Sequence, residues 1–160
     1  MKTVILDALT LGEDVDLSPI YGCCDVTVYP ATAPEQLAER ICEAEVVIVN
    51  KIKLNESTLR NARALRLICV TATGYDNIDA EYCKKNSIAL CNVPAYSTDS
   101  VAQLTAAMAL SLACRLNDYT AFVSSGAYSA SGKANCLTPV YHELTTVTWG
   151  ILGEIGRAHV

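Results

Sequence analysis

Three stretches of this chain hold residue types that could do chemistry. Asn50-Lys51 directly follows the apolar run Val46-Val47-Ile48-Val49. At the end of a buried strand, an amide and a cation could help line a substrate pocket, and they fit a solvated loop equally well. Thr71-Ala72-Thr73-Gly74-Tyr75-Asp76-Asn77-Ile78-Asp79 follows a second apolar run. Gly74 there would let the backbone turn sharply and present N–H groups to an anion such as a carboxylate. Asp76, Asn77 and Asp79 have the pattern of turn formers and a helix cap rather than of acids or bases. The third stretch, Gly150-Ile151-Leu152-Gly153-Glu154-Ile155-Gly156, has the composition of a phosphate-cradling turn. Its Gly153 and Gly156 are spaced G-x-x-G, however, which is short of the dinucleotide fingerprint G-x-G-x-x-G.

The elements that must position these stretches follow from hydrophobic patterning. Val4-Ile5-Leu6 and Val26-Thr27-Val28 predict two strands, with a polar stretch at Leu11–Asp16 between them. Thr32-Ala33-Pro34-Glu35 has the form of a capping box, and Leu37, Ile41 and Ala44 continue it at helical spacing. Val46–Val49 reads as a strand buried on both faces. A helix over Asn55–Ala64, a strand over Leu67–Thr71, a helix over Glu81–Lys85 and a strand over Ile88–Cys91 follow. Repeated βα units of this length predict a parallel sheet covered on both sides. Ser100 with Gln103 is a second capping-box candidate. Val101–Leu116 predicts a long helix, apolar nearly all round, that should be buried on most sides. Ser124–Cys136 reads as a surface excursion, and Thr146–Leu152 as a strand ending at Gly153. A domain boundary is placed near residue 99.

Composition narrows the function classes. The chain has 160 residues, 51% of them hydrophobic, enough for one ordinary core. A net charge of −5 argues against a nucleic-acid surface, which needs clustered Lys and Arg. No apolar run is long enough to cross a membrane, and Met1–Leu6 is too short for a signal peptide, so a cytoplasmic protein is expected. The eight cysteines lie mostly inside apolar runs with no C-x-x-C spacing. They are read as small buried hydrophobes rather than metal ligands, redox centres or disulfides.

Taken together, the motifs resemble the D-isomer-specific 2-hydroxyacid dehydrogenases. Cys69-Val70-Thr71-Ala72-Thr73-Gly74-Tyr75-Asp76-Asn77-Ile78-Asp79 is similar to the substrate-domain loop of that family. The likeness continues from Cys91-Asn92-Val93-Pro94-Ala95-Tyr96 through Ser97-Thr98-Asp99-Ser100-Val101-Ala102-Gln103-Leu104-Thr105. With Asn50-Lys51, these stretches look most like the glycerate dehydrogenase (hydroxypyruvate reductase) branch. Trp149-Gly150-Ile151-Leu152-Gly153 is similar to the first cofactor-domain strand, so the resemblance spans residues 1–153. Ala95 stands where many members have glycine, a departure that bears on the backbone geometry of its loop.

The resemblance implies an α/β chain: a flavodoxin-like parallel substrate domain over 1–99, then the interdomain helix and truncated start of a Rossmann domain over 100–153. It implies NAD as cofactor, with NADP left open because the selecting residue follows the second cofactor strand. A hydride would pass between nicotinamide C4 and C2 of a small 2-hydroxy or 2-oxo acid. Thr73 and Gly74 would offer N–H groups to the substrate carboxylate, with Lys51 nearby. Val101 and Thr105 would line the nicotinamide side, and Gly153 would be the first fingerprint glycine. The intact parent would be a homodimer. The catalytic arginine, histidine and glutamate of the family fall beyond this chain, so no catalytic residue is expected within it, and His142 reads as a structural or surface residue.

Two other readings stay open here. A non-catalytic, dinucleotide-sensing regulator of the same fold would lack the catalytic histidine. A receiver-like domain would need paired acids at the first strand's end, where Asp7 stands alone. Finally, Glu154–Val160 can be back-translated to GAG ATC GGA AGA GCA CAC GTC, which resembles a widely used sequencing adapter read in frame. Residues 154–160 are therefore expected to be adapter-derived, and the fragment to fold its first domain without turning over substrate. Genomic DNA read past codon 153 should show a second glycine two residues after Gly153 and a long continuation. A natural stop codon after Val160 would sink this expectation.

Overall fold

A computed structural model describes residues 1–151; Gly153 and the stretch 154–160 lie outside the described residues. The chain divides into two compact units, Met1–Ala95 and a second that begins at Tyr96. In the first, strands and helices alternate: β1 (Lys2–Ile5), α1 (Ser18–Tyr21), β2 (Asp25–Val28), α2 (Pro34–Ile41), β3 (Val46–Val49), α3 (Glu56–Leu59), β4 (Leu67–Val70), α4 (Ala80–Lys85) and β5 (Ala89–Cys91). All strand pairs are parallel and the order is β2-β1-β3-β4-β5. This is the flavodoxin-like order, as the alternation of apolar runs and helical segments implied.

The alternation along β3 explains the layers. Val47 and Val49 face one side, where they share a core with Leu37 and Ile41 of α2, Leu59 of α3 and Cys83 of α4. Val46 and Ile48 face the other, packing with Ile5 beneath Leu17 and Ile20 around α1. All four β3 residues are buried. Each such side chain contributes about 1.5–3 kcal/mol relative to an exposed one.

Several boundaries differ from expectation, each for a local reason. The α2 cap lies one residue later than Thr32-x-x-Glu35: Pro34 takes the first helical position, and the Ala33 N–H donates to Gln36 Oε1 at 3.1 Å. The Thr32 hydroxyl is occupied elsewhere, donating to the Leu6 carbonyl and accepting from Arg40, both at 2.6 Å. The helix predicted over Asn55–Ala64 is only the single turn α3. Buried Leu59, Ala62 and Leu65 recur every three residues, and Ala62 N–H to Leu59 O (2.9 Å) and Leu65 N–H to Ala62 O (3.1 Å) close three-residue turns instead. The cysteines are less buried than predicted. Only Cys83 is fully buried, while Cys23, Cys42 and Cys91 are exposed, Cys91 because it lies on the edge strand β5. Burial raises the pKa of the Cys83 and Cys69 thiols, with Cys91 adding to the effect at Cys69.

The second unit is helical: α5 (Thr98–Ala113), α6 (Leu116–Ser124), α7 (Ala127–Ala130) and a 3-10 turn at Leu144–Thr146. Helix α5 starts at Thr98, with Ser97 in the cap position and no side-chain capping bond, so Ser100 and Gln103 are not its cap. It stops before Leu116 because Arg115 adopts a left-handed conformation, φ 54°. The expected burial of this apolar helix is not seen: none of its residues is buried, and Leu104, Met108 and Leu112 are 59%, 53% and 77% exposed. The described part of that unit supplies only short helices and coil besides, and it leaves Leu116, Val123 and Leu137 exposed as well. Nor is there a strand over 146–151, where the described unit offers no ladder partner; Leu152 lies outside the described residues. Residues 124–136 are exposed apart from Cys136, which is half-buried, and include α7. No helix among the described residues is long and apolar enough to cross a membrane.

Ala95 ends the first unit at φ +58°. An L side chain in that region costs about 1–2 kcal/mol, while glycine adds about 0.5–1 kcal/mol of chain entropy to be lost on folding. Ala95→Gly is therefore expected to stabilise the first unit by up to about 1 kcal/mol. Urea unfolding of the two chains side by side checks this, and a clear loss of stability would refute it.

Candidate functional site

The carboxyl ends of β1, β3, β4 and β5 lie in line because the strands pair in register, Ile5 with Ile48, Val49 with Val70 and Cys69 with Cys91. The segments that follow them are Asp7, Asn50-Lys51, Thr71–Asp79 and Asn92-Val93. Two of the three chemistry-bearing stretches found in the sequence thus fall at the end of the sheet where ligands bind in open α/β folds. The third, at Gly150–Gly156, lies in the second unit and largely outside the described residues.

Backbone and side-chain bonds tie these segments together. Asn77 Nδ2 donates to the carbonyls of Asn50 (3.2 Å) and Ile52 (2.9 Å). Leu54 N–H donates to Asn77 O at 2.9 Å and Asp79 N–H to Leu54 O at 2.8 Å, a short parallel bridge between the two loops. From the other side, Asn92 Nδ2 donates to Thr73 O (2.7 Å) and the Thr73 hydroxyl to Val93 O (3.0 Å). Asp79 caps α4, accepting from the Tyr82 N–H at 2.9 Å, the role its position predicted.

Thr73 is therefore held by its carbonyl and hydroxyl, which leaves its N–H directed elsewhere. The N–H groups of Thr73, Gly74 and Tyr75 donate to no partner among the described residues. Successive free amides in a turn can converge on an anion. Gly74 is exposed, and its φ lies outside the left-handed region. That departs from the turn argument, in which glycine supplied the sharp bend. A Cβ at this position would meet only Asp76 Oδ1, at 3.4 Å. Neither backbone conformation nor internal packing demands glycine at 74.

Lys51 is exposed, and its ammonium has no ion-pair or hydrogen-bond partner among the described residues. The structure puts Lys51 and the Thr73-Gly74 turn on the two loops that Asn77 joins. Val101 and Thr105 belong to the second unit, one turn apart on α5, with the Thr105 hydroxyl donating to Val101 O at 2.7 Å. His142 is exposed on coil in that unit.

Sequence reasoning noted Asp7 only as a lone acid after the first strand and missed its bonding role. It is 7% exposed, and its carboxylate accepts from the Asn50 N–H (3.0 and 3.1 Å) and the Lys51 N–H (2.7 Å). Asn50 Oδ1 and Thr71 Oγ1, in the segments after β3 and β4, are buried without a partner among the described residues. The only signal in the sequence was an acid immediately after a buried strand.

This sheet, with a free amide turn at the end of β4, defines an open parallel α/β domain, and comparison with known proteins identifies its family. The family described as D-isomer specific 2-hydroxyacid dehydrogenase, catalytic domain, matches residues 4–150. The chain belongs to this family. It is 28% identical to a hydroxypyruvate reductase of Blautia hydrogenotrophica, over 99% of this chain and 51% of that protein. It is 30% identical to glyoxylate/hydroxypyruvate reductase B of Salmonella typhimurium, over 99% of this chain and 49% of that one. Among solved structures, D-lactate dehydrogenase from Aquifex aeolicus, complexed with NAD and lactic acid, superposes with a TM-score of 0.68 at 26% identity. That match covers 90% of this chain and 41% of the other. The chain spans about half the length of the curated relatives it matches.

Asn77 is the joint between the two loops, and the two bonds from its amide are each worth about 0.5–1.5 kcal/mol. Asn77→Ala is expected to lower stability by about 1–3 kcal/mol in urea unfolding. Asp79→Asn, which exchanges one good cap for another, should change stability by no more than a few tenths of a kcal/mol. Equal effects of the two substitutions would contradict this division of roles.

Proposed function

We propose that this chain is the substrate-binding part of an NAD(P)-dependent oxidoreductase acting on a small 2-hydroxy or 2-oxo acid. The N–H groups of Thr73 and Gly74 receive the substrate carboxylate, and Lys51 adds positive charge beside them. The observation that carries this reading is the run of amides at Thr73–Tyr75 without a partner among the described residues, around a glycine that the fold itself does not require. A missing side chain that serves neither conformation nor packing is explained by the close approach of a ligand. A carboxylate is the fitting ligand because amide donors and an ammonium both favour an anion that offers several lone pairs.

The relatives named as hydroxypyruvate and glyoxylate reductases support this substrate class, and the family's NAD-bound structure supports the cofactor. When bound, the nicotinamide supplies or accepts the hydride at substrate C2. Val101 and Thr105 fit one side of it: both are exposed, and Thr105 has spent its hydroxyl on the helix carbonyl, so they offer a flat ring an apolar surface. Gly153, proposed to hold the dinucleotide phosphates, lies outside the described residues. None of the described residues is assigned as the proton donor or acceptor, and the intact parent is proposed to be a homodimer.

The test uses the 160-residue chain directly. D-Glycerate titrated into the 15N-labelled chain should shift the amide resonances of Thr73, Gly74 and Tyr75. Gly74→Val crowds the approach and should weaken binding about ten- to a hundred-fold, since each charge-assisted hydrogen bond is worth roughly 1.5–3 kcal/mol. Asp79→Asn should bind as the unaltered chain does. The chain should not oxidise NADH with hydroxypyruvate or glyoxylate. Shifts confined to residues outside this turn, or full binding by a folded Gly74→Val variant, would remove the basis of the proposal.

A further inference from the structure

Asp7 is a buried carboxylate that no step of the proposed chemistry uses. Burying a charge costs several kcal/mol in lost hydration unless donors replace the water. Here the donors are two consecutive backbone N–H groups, of Asn50 and Lys51, and both carboxylate oxygens are engaged. With 7% of its surface exposed and both oxygens bonded to backbone, Asp7 has little surface to offer a ligand. Its bonds reach across 43 and 44 residues of sequence to the segment that carries Lys51.

We propose that Asp7 is a positioning residue: it fixes the Asn50-Lys51 backbone from which the Lys51 ammonium reaches the carboxylate held by Thr73 and Gly74. This rests on the carboxylate reading given above. The backbone of the segment is clamped from both sides, its N–H groups by Asp7 and its carbonyls at Asn50 and Ile52 by Asn77. The Asn50 side-chain oxygen is unpartnered but buried, so the exposed Lys51 ammonium is the polar head of this segment that can reach a ligand. A lysine on a loose loop loses much of its conformational freedom when it engages an anion. A lysine on a clamped backbone loses only that of its own side chain. An aspartate suits the clamp better than an asparagine, whose amide nitrogen would set a donor against the N–H groups it replaces.

The test is a double-mutant cycle on D-glycerate binding, followed by the Thr73–Tyr75 amide shifts of the full chain. Asp7→Asn should weaken binding about tenfold, the scale of one charge-assisted hydrogen bond. Lys51→Met should weaken it comparably. In the Lys51→Met background, Asp7→Asn should change Kd by less than about twofold, because its effect is routed through Lys51. An effect of Asp7→Asn that persists in that background, or an unchanged Kd in the Asp7→Asn chain, overturns the proposal. Should Asp7→Asn fail to fold, hydrogen exchange in the unaltered chain decides instead. The Asn50 and Lys51 amides should be protected like strand amides, and exchange at loop rates would refute the clamp. Absence of D-glycerate binding by the unaltered chain overturns the carboxylate reading, and this proposal with it. Normal binding with additive Asp7 and Lys51 effects removes only the role of Asp7.

Discussion

The structure depends on the burial of β3 from both faces. A strand whose four side chains are all apolar and all buried must lie between two cores, and there it pairs in a single parallel register with β1 and β4. That register sets the heights at which β1, β4 and β5 end. The loops after those strands therefore emerge side by side, and residues remote in sequence meet. The site is a consequence of hydrophobic packing before it is a matter of polar chemistry.

The same fact explains what could be read in the sequence. Val46–Val49 and Leu67–Val70 are short, unbroken apolar runs, and such runs between helical segments mark parallel strands. The sheet and most of its helices were legible for this reason. Element ends were less so. The α2 cap slipped by one residue because Thr32 bonds to Leu6, 26 residues away, instead of to its own helix. Leu59, Ala62 and Leu65 could have continued a helix, and only the three-residue turns distinguish them. Thr73-Gly74 and Lys51 were singled out by their place after apolar runs and by the family resemblance, and the structure puts them on two loops that Asn77 joins. The role of Asp7 was not visible: its partners are backbone N–H groups, which every residue but proline carries.

Two positions show how misleading residue identity alone can be. Gly74 was expected to serve a tight turn, yet its backbone lies where any residue could sit and a Cβ would meet one side-chain oxygen. Ala95 does occupy the left-handed region that favours glycine. The glycine is where conformation does not ask for it, and the alanine where conformation disfavours it. The first is best explained by what approaches from outside, the second by a loop whose neighbours hold it in place at a local cost.

In a sheet ordered β2-β1-β3-β4-β5, the chain leaves β1 toward one edge and then crosses to β3 to build toward the other. Loops on either side of that topological switch point diverge, and open α/β proteins commonly place a nucleotide or flavin in the gap. Here the gap between the ends of β1 and β3 is filled by the protein's own carboxylate, Asp7, bonded directly across it. A phosphate entering there would meet a fixed negative charge whose donors are already taken. The fold's usual nucleotide slot in this domain is thus closed by construction. The unpartnered amides of Thr73–Tyr75 lie one strand outward from that switch point, at the end of β4, clear of the Asp7 carboxylate.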